Sequence, residues 1–427
     1  MAGPAIRCVE LAKRLSNDLE VTIFSPHATT QPVSSHALGA ADLVASGSKR
    51  DLYELAIDSD VLIIQANVLK PYPFLARLKK YLVVDLYDPY LFTIPMQYCE
   101  DEITASSSYR LMHQVLEQHM IRADFSICAS ERQRDYWIGR YCAIGRIDPR
   151  MSAIDASLRK LIDVVPFGLP EAEARATGPG LRQLIPQIGA SDPVLIWGGG
   201  IWDWFDPLTI IRAVGELSNT IPNIRLVFMG TRSPNPQVPL MRMAVAARAL
   251  AEALGLINLN VFFPEQWVAY EDRVNYLLDA DIAISAHFDV PETRFSFRTR
   301  ILDYLWTHLP IITTGGDSLA ELIEKSGAGI VVPYESVEAW KQAIFQMLSD
   351  AECRRRCRAG SAWLSERFTW NRVIEPLQRY CLHPHKLPSH SRVKMPSLLE
   401  RAQAVYSRGG KDLVLKRSKE LFQDILH

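Results

Sequence analysis

The chain has 427 residues, more than a single hydrophobic core ordinarily serves, so two domains are expected. With 48% hydrophobic residues, 22% charged residues and a formal net charge of −1, the composition is that of a globular protein. That balance excludes a global electrostatic pull toward nucleic acid or an anionic membrane.

The elements alternate from the start. AIRCVELAKRLS has helical apolar spacing, EVTIFSP is a short β-rich run, DLYELAIDS returns to helix and VLIIQA reads as a buried strand. LARLKKY is expected to be helical, LVVDLYD a strand, SSYRLMHQVLEQHMIRA a helix, DFSICAS a strand, ERQRDYWIGRY a helix and DVVPFG a strand. After the turn-rich PEAEARATGPG the alternation resumes: PVLIWGGG, IRLVFMG, NVFFPE, IAISAH, PIITTGG and GIVVP are strands, with helical patterns between them. Apolar strands of this length between helices indicate parallel sheets covered on both faces, hence an α/β protein of two doubly wound, Rossmann-like domains. The expected boundaries are 1–175 and 190–362, followed by a crossing helix and basic tail over 363–427. A doubly wound domain ordinarily opens on a buried strand, whereas here Gly3 and Pro4 lead straight into a helix. The first strand of the N-terminal domain is therefore missing from the pattern, and a shortened start is the simpler expectation.

Seven cysteines, an odd number without a Cys-x-x-Cys pair, argue against a disulfide framework and for a reducing cytoplasm. No stretch approaches about 18 apolar residues, and MAGPAIRCVELAKRL lacks the apolar core of a signal peptide. Cys381, His383 and His385 imitate a metal cluster, but Pro384 and the want of a fourth nearby ligand favour a plain loop. Asp279 and Asp281 form a D-x-D in a helix-ending turn, so no metal is expected there either.

The most informative stretch is RFSFRTRILDYLW. Arg294, Arg298 and Arg300 gather where a helix begins, adding positive charge to the positive end of its dipole, which points to an anionic ligand. Gly198, Gly199 and Gly200 close a strand and would let backbone approach a diphosphate, although a glycine triplet alone is as well explained by a flexible turn. Trp202 and Trp204 follow at once, placed either to stack on a base or to pack between domains. Asp85 and Asp88 end a strand of the first domain, where open sheets of this type hold ligands. The region from Pro384 onward carries nine Lys/Arg (386, 392, 394, 401, 408, 411, 416, 417, 419) and four acids (400, 412, 420, 424), a local excess of +5. Packing against the body is one reading of this tail, and contact with an anionic membrane the other.

Taken in order, GPAIRCVELAKRL, ADFSICAS, VVPFGLP, PVLIWGGG, IRLVFMGT, YLLDADIAIS, the Arg-rich helix start, LPIITTGG and GAGIVVP resemble the GT-B glycosyltransferases, in particular retaining family 4, from Gly3 to about Tyr380. The resemblance implies two Rossmann-like domains facing across a cleft, with a nucleotide-sugar on the C-terminal domain and an acceptor on the N-terminal one. It implies no cofactor and no metal. It places Gly199, Gly200, Trp202, Gly230, Ser296, Thr299 and Asp303 around the donor, Asp303 receiving ribose hydroxyls. Gly3, Arg7 and Asp85 fall on the acceptor side.

Two departures matter. The family carries two glutamates eight positions apart, and here Phe295 occupies the first position, with Glu292 as a substitute and Asp303 at the second. The family's Arg and Lys after the first strand of the C-terminal domain fall at about Gly200 and Phe205, so Arg298 and Arg300 are expected to supply the countercharge for the leaving diphosphate. With Asp88 and Glu292 they make up the expected catalytic group. The bland alternative is a solvated helix cap, with Asp303 paired to Arg300 on the surface. The expected activity is cytoplasmic sugar transfer with retention to a glycan or lipid-linked acceptor, the tail giving peripheral contact with the inner membrane face and no role for nucleic acid. A nucleotide-sugar epimerase and a catalytically silent binding protein on the same scaffold are the rival readings.

Overall fold

The computed structural model describes residues 3–26, 38–98, 100–230, 240–265, 268–388, 411 and 413–414. Helix α1 (Gly3–Leu15) leads into β1 (Thr22–Ser25), β2 (Asp42–Ala45), α2 (Lys49–Asp58), β3 (Val61–Gln65) and β4 (Tyr81–Asp85). Next come α3 (Glu102–Arg122), β5 (Phe125–Cys128), α4 (Glu131–Ala143) and β6 (Ile162–Val164). Every strand pairing is parallel, as the unbroken apolar runs predict: all four residues of β5 are buried because helices cover both faces. The pairings form two sheets, β1-β2 and β3-β4-β5-β6, and among the described residues no strand joins them. Strand β2 has no counterpart in the sequence reading, its four residues being too few for a clear period. The expected helix LARLKKY is only a short 3-10 turn, Pro73–Arg77. Pro71 and Pro73 remove two backbone donors there, and Tyr81 already belongs to β4.

The second domain contains β7 (Val194–Gly200), α5 (Pro207–Leu217), β8 (Arg225–Gly230), α6 (Arg242–Ala253), β9 (Val261–Phe262), α7 (Arg273–Leu278) and β10 (Ile282–Ser285). It continues with α8 (Pro291–Phe295), α9 (Thr299–Trp306), β11 (Ile311–Thr314), α10 (Ser318–Ser326), β12 (Gly329–Val332), α11 (Val337–Ser349) and α12 (Ala351–Ser365). Its sheet runs β12-β11-β10-β7-β8-β9, so the winding direction reverses between β7 and β10. Such a reversal opens a crevice beyond the carboxyl ends of the two strands, where ligands of doubly wound sheets sit.

Beyond α12 the chain returns to the first domain. Leu169 bridges to Thr369, and Trp370 is fully buried against Gly168, where an added Cβ would lie 2.5 Å from the indole. Only glycine fits that approach. In α13 (Glu375–Leu382) Tyr380 stacks on Phe125 of β5 at 4.5 Å. One apolar cluster accordingly runs from Leu11 and Val83 through Leu169 and Trp370 to Ile301 and Leu305, tying the domains together opposite the crevice. Most of the basic tail lies outside the described residues.

Candidate functional site

At the crevice, β7 ends in Gly198–Gly200, and its register on β8 shifts between Trp197 and Gly200. Gly199 adopts φ +108°, a conformation that side chains disfavour, and it faces open space. Gly230, at the end of β8, lies so close that a Cβ would come within 3.2 Å of the Gly199 backbone. Tyr304 of α9 pins this strand end: its hydroxyl accepts from the Gly198 amide at 2.7 Å and donates to the Ile284 carbonyl at 2.9 Å. Trp202 and Trp204 stack on each other at 5.4 Å, with Trp202 38% exposed. Trp202 is thus a surface element beside the glycines, while Trp204 is half-buried against the core of the second domain.

The arginine-rich segment is two helices rather than one. Helix α8 ends at Phe295, and α9 starts at Thr299 rather than near Phe297, with no side-chain cap on its free amides. The expectation of two free cations needs correction. Arg298 is buried and engaged by Glu292 through two hydrogen bonds of 2.9 and 2.6 Å, while Ser296 also donates to Glu292. Glu292 is therefore a neutralised partner rather than a free substitute for the missing glutamate, and the Ser296 hydroxyl is committed. Thr299 is exposed at the first position of α9, and Arg294 is exposed as well.

Arg300 differs. It is 8% exposed, donates to the Gly200 carbonyl at 2.7 Å and lies over the rings of Phe205 (4.2 Å) and Trp197 (4.5 Å). Among the described residues no carboxylate pairs with it, and its Nη1 has no partner. Burial first, then repulsion from Arg298, pushes its pKa down to about 10, so it remains charged at neutral pH. Asp303 lies one turn further along α9 but pairs with Arg273 of α7 at 2.8 Å instead of with Arg300. Arg273 in turn covers Tyr270 at 3.6 Å.

A second buried polar group adjoins Arg298. His287, just past β10, interacts through Nε2 with the Gly315 carbonyl at 3.1 Å and lies 3.5 Å from Asp317, the N-cap of α10. Burial, reinforced by Arg298, holds the imidazole pKa well below its ordinary value, so His287 is neutral and its Nε2–H is the donor to Gly315. Burial pushes the Asp317 carboxyl up to about 6 against the opposing pull of Arg298.

On the first domain, Arg7 of α1 is completely buried. It donates to Asp85 at 2.6 and 3.1 Å and to the carbonyls of Val165 and Pro166, and Tyr87 and Phe167 flank its guanidinium. Arg7 and Asp85, expected as acceptor-side contacts, are thus locked together across the ends of β4 and β6. Gly3, at the start of α1, has open space around it. Asp88 is the uncommitted group. Solvent reaches it, and charges of both domains, Asp85 on one side and Glu292 and Arg298 on the other, act on its carboxyl. Desolvation between them, then Glu292 and Asp85, push it up to about 6, with Arg298 opposing.

The two halves of the site touch. Gln133 of α4, fully buried, donates through Nε2 to the carbonyls of Tyr87 and Phe295, each at 2.8 Å, and accepts from the Ala129 amide. Phe295 stacks on Phe92 at 5.3 Å and packs on Tyr136 at 5.0 Å. Arg132 donates to the Gly316 carbonyl and pairs with Glu321. Gln133, Tyr304, Arg273, His287 and the Phe295 clasp escape a reading of the sequence, because none belongs to a local motif.

Among the described residues no three His, Cys, Asp or Glu side chains gather as a metal site. Asp279 accepts from the Arg182 amide and Asp281 from the Val194 amide, and both pair with the Arg182 side chain. Burial raises the Cys381 thiol to about 12.

Residues 192–350, the second domain, match the family model described as Glycosyl transferases group 1. Over nearly its whole length the chain superposes on sucrose-phosphate synthase from Thermosynechococcus elongatus, with a TM-score of 0.63 and 13% identity, covering 88% of this chain and 92% of that one. The fold is GT-B. Other GT-B structures agree: a glycosyltransferase from Rickettsia africae (TM-score 0.61, 16% identity, 90% and 96% covered) and Anabaena HepE solved with UDP-glucose (0.61, 13%, 90% and 96%). In sequence, a D-inositol 3-phosphate glycosyltransferase from Saccharomonospora viridis is 24% identical over 190 residues. The aligned stretch is 44% of this chain and 42% of that relative, so the match spans less than half of either. Arg300 and the glycines lie at the end of β7 on the second domain, and Asp88 follows β4 on the first. No helix among the described residues is long and apolar enough to cross a membrane.

Proposed function

We propose that the protein is a glycosyltransferase that moves a sugar from a nucleoside-diphosphate donor to an acceptor hydroxyl, with retention of configuration and without a resident metal. Arg300 carries this reading: a buried cation with no acid partner and an idle Nη1, beside a glycine strand end and an uncapped helix start, is an arrangement that a diphosphate completes. The diphosphate would lie along Gly199–Gly200. Asp303 would use the oxygen that Arg273 leaves free to hold the ribose, and Trp202 would lie beside the base. Anabaena HepE, crystallised with UDP and with UDP-glucose, supports a nucleotide-sugar in this fold.

In the transfer, the bond between the anomeric carbon and the diphosphate oxygen breaks, and the acceptor oxygen bonds to that carbon from the same face. The acceptor proton passes to the departing diphosphate. Arg300 offsets the charge that grows on the diphosphate, and Asp88 accepts a hydrogen bond that orients the acceptor hydroxyl. Glu292 and Arg298 act as a mutually neutralising brace that shapes the crevice. Contact between the domains would exclude water that could hydrolyse the donor. A cytoplasmic enzyme resting on the inner membrane face through its basic tail, and glycosylating a glycan or lipid-linked acceptor, fits the charge of residues 384–427.

The mutual neutralisation of Glu292 and Arg298 also suits a binding protein that has lost catalysis. Thermal-shift titration with UDP, GDP, dTDP and ADP, followed by donor-turnover assays with and without acceptor, separates these outcomes. Stabilisation by one nucleotide, lost in Asp303→Ala, together with acceptor-dependent turnover, is expected. Stabilisation without turnover would leave the silent reading, and no response to any nucleotide would remove the donor site.

A further inference from the structure

Beside Asp88, on the first domain, lies a cavity of about 410 Å³ beyond the carboxyl ends of β3 and β4, walled on one side by α3. That volume lies within the roughly 300–1,000 Å³ usual for small-molecule sites. Its lining mixes three phenol rings, Tyr87, Tyr90 and Tyr98, with side-chain amides such as Asn67 and Gln97 and apolar side chains that include Met112. Flat rings together with amides suit the apolar faces and hydroxyl edges of a sugar or cyclitol.

The cavity carries charge of both signs. Three charged residues line it: Lys70, Asp85 and Asp88. Asp85 is cancelled by Arg7, with two hydrogen bonds from that guanidinium. Asp88 takes no hydrogen bond among the described residues. Lys70, the one cation of the lining, pairs with no acid among the described residues. The cavity therefore offers both an acceptor for a hydroxyl proton and an unmatched ammonium.

We propose that this cavity takes the acceptor as a carbohydrate or cyclitol phosphate, its phosphate on Lys70 and its reacting hydroxyl toward Asp88. The direction of transfer rests on the glycosyltransferase reading; the binding preference can be measured without it. A phosphate in a polar cavity forms charge-assisted hydrogen bonds that a neutral sugar cannot, so discrimination of about tenfold or more is expected.

The test is calorimetric titration of the full chain with glucose 6-phosphate, glucose and glucuronate, and with a polyprenyl-phosphate-linked sugar in detergent. Glucose 6-phosphate, the lipid-linked sugar or both should bind at least about tenfold more tightly than glucose, which also tells a soluble from a lipid-borne phosphate. The preference should vanish in Lys70→Ala, persist in Lys70→Arg and weaken with salt. Lys70 is exposed, so circular dichroism should show both variants folded. Equal affinity for phosphorylated and neutral sugars, a preference for glucuronate alone, or an undiminished preference in Lys70→Ala would overturn the proposal. Titration with UDP, GDP, dTDP and ADP in the same samples reads the donor site separately. Nucleotide binding without phosphate discrimination sinks only the acceptor proposal, and discrimination without nucleotide binding sinks only the donor reading.

Discussion

Replacing Arg300 with methionine should separate ligand binding from folding stability. In the ligand-free fold its guanidinium gains a charged hydrogen bond to the Gly200 carbonyl, worth about 1.5–3 kcal/mol. Contact with the rings of Trp197 and Phe205 adds roughly 0.5–2 kcal/mol. Against these stands burial without an acid partner. The fall of its pKa to about 10 represents roughly 3 kcal/mol against the charged form, at about 1.4 kcal/mol for each pH unit. The contributions nearly cancel, and methionine keeps the packing between the two rings. Urea unfolding of Arg300→Met should therefore give a stability within about 1.5 kcal/mol of the parent. Affinity for the nucleoside diphosphate that binds best should fall roughly tenfold to a hundredfold by calorimetry, the cost of one charge-assisted bond to an anion. A variant that loses more than about 3 kcal/mol of stability while binding nucleotide as before would refute the reasoning and make Arg300 an internal brace.

Asp85→Ala should cost about 3–5 kcal/mol in urea unfolding, because it strands the fully buried Arg7; Arg7→Met combined with Asp85→Leu should recover much of that loss. Gln133→Leu leaves the Tyr87 and Phe295 carbonyls and the Ala129 amide without their partner, so a loss of about 2–4 kcal/mol and a larger radius of gyration by solution scattering are expected. With the Asp88 carboxyl raised to about 6, transfer activity should fall on the acid side with a midpoint near 6, and Asp88→Asn should abolish that limb. The same shift has a stability sign. The folded state favours the protonated acid, so the contribution of Asp88 is complete below its unfolded pKa and is lost as pH rises through about 6. Asp88→Asn should therefore gain stability relative to the parent at pH 8, and that gain should vanish toward pH 4; a constant difference across this range would exclude the raised pKa.

Much of the fold is legible in the chain. FSIC, IAIS and IITT are apolar throughout because helices cover both faces of a parallel sheet, and this pattern alone dictates the doubly wound class. The glycines after β7 and the cluster around Arg298 and Arg300 are visible as local concentrations of unusual residues. What the sequence could not determine is which charges remain available. Arg298 and Arg300 differ in their partners although they lie two positions apart, because the turn between α8 and α9 aims one guanidinium back at Glu292 and the other at Gly200. Arg7 and Asp85, 78 residues apart, become partners only when α1 packs over the end of β4, and Gln133 bridges two loops that no local pattern connects. Periodicity reports the faces an element must bury, a short-range property written into consecutive residues. The pairing of buried charges depends on long-range packing, and among the described residues that packing leaves Arg300 and Asp88 without a partner of opposite charge.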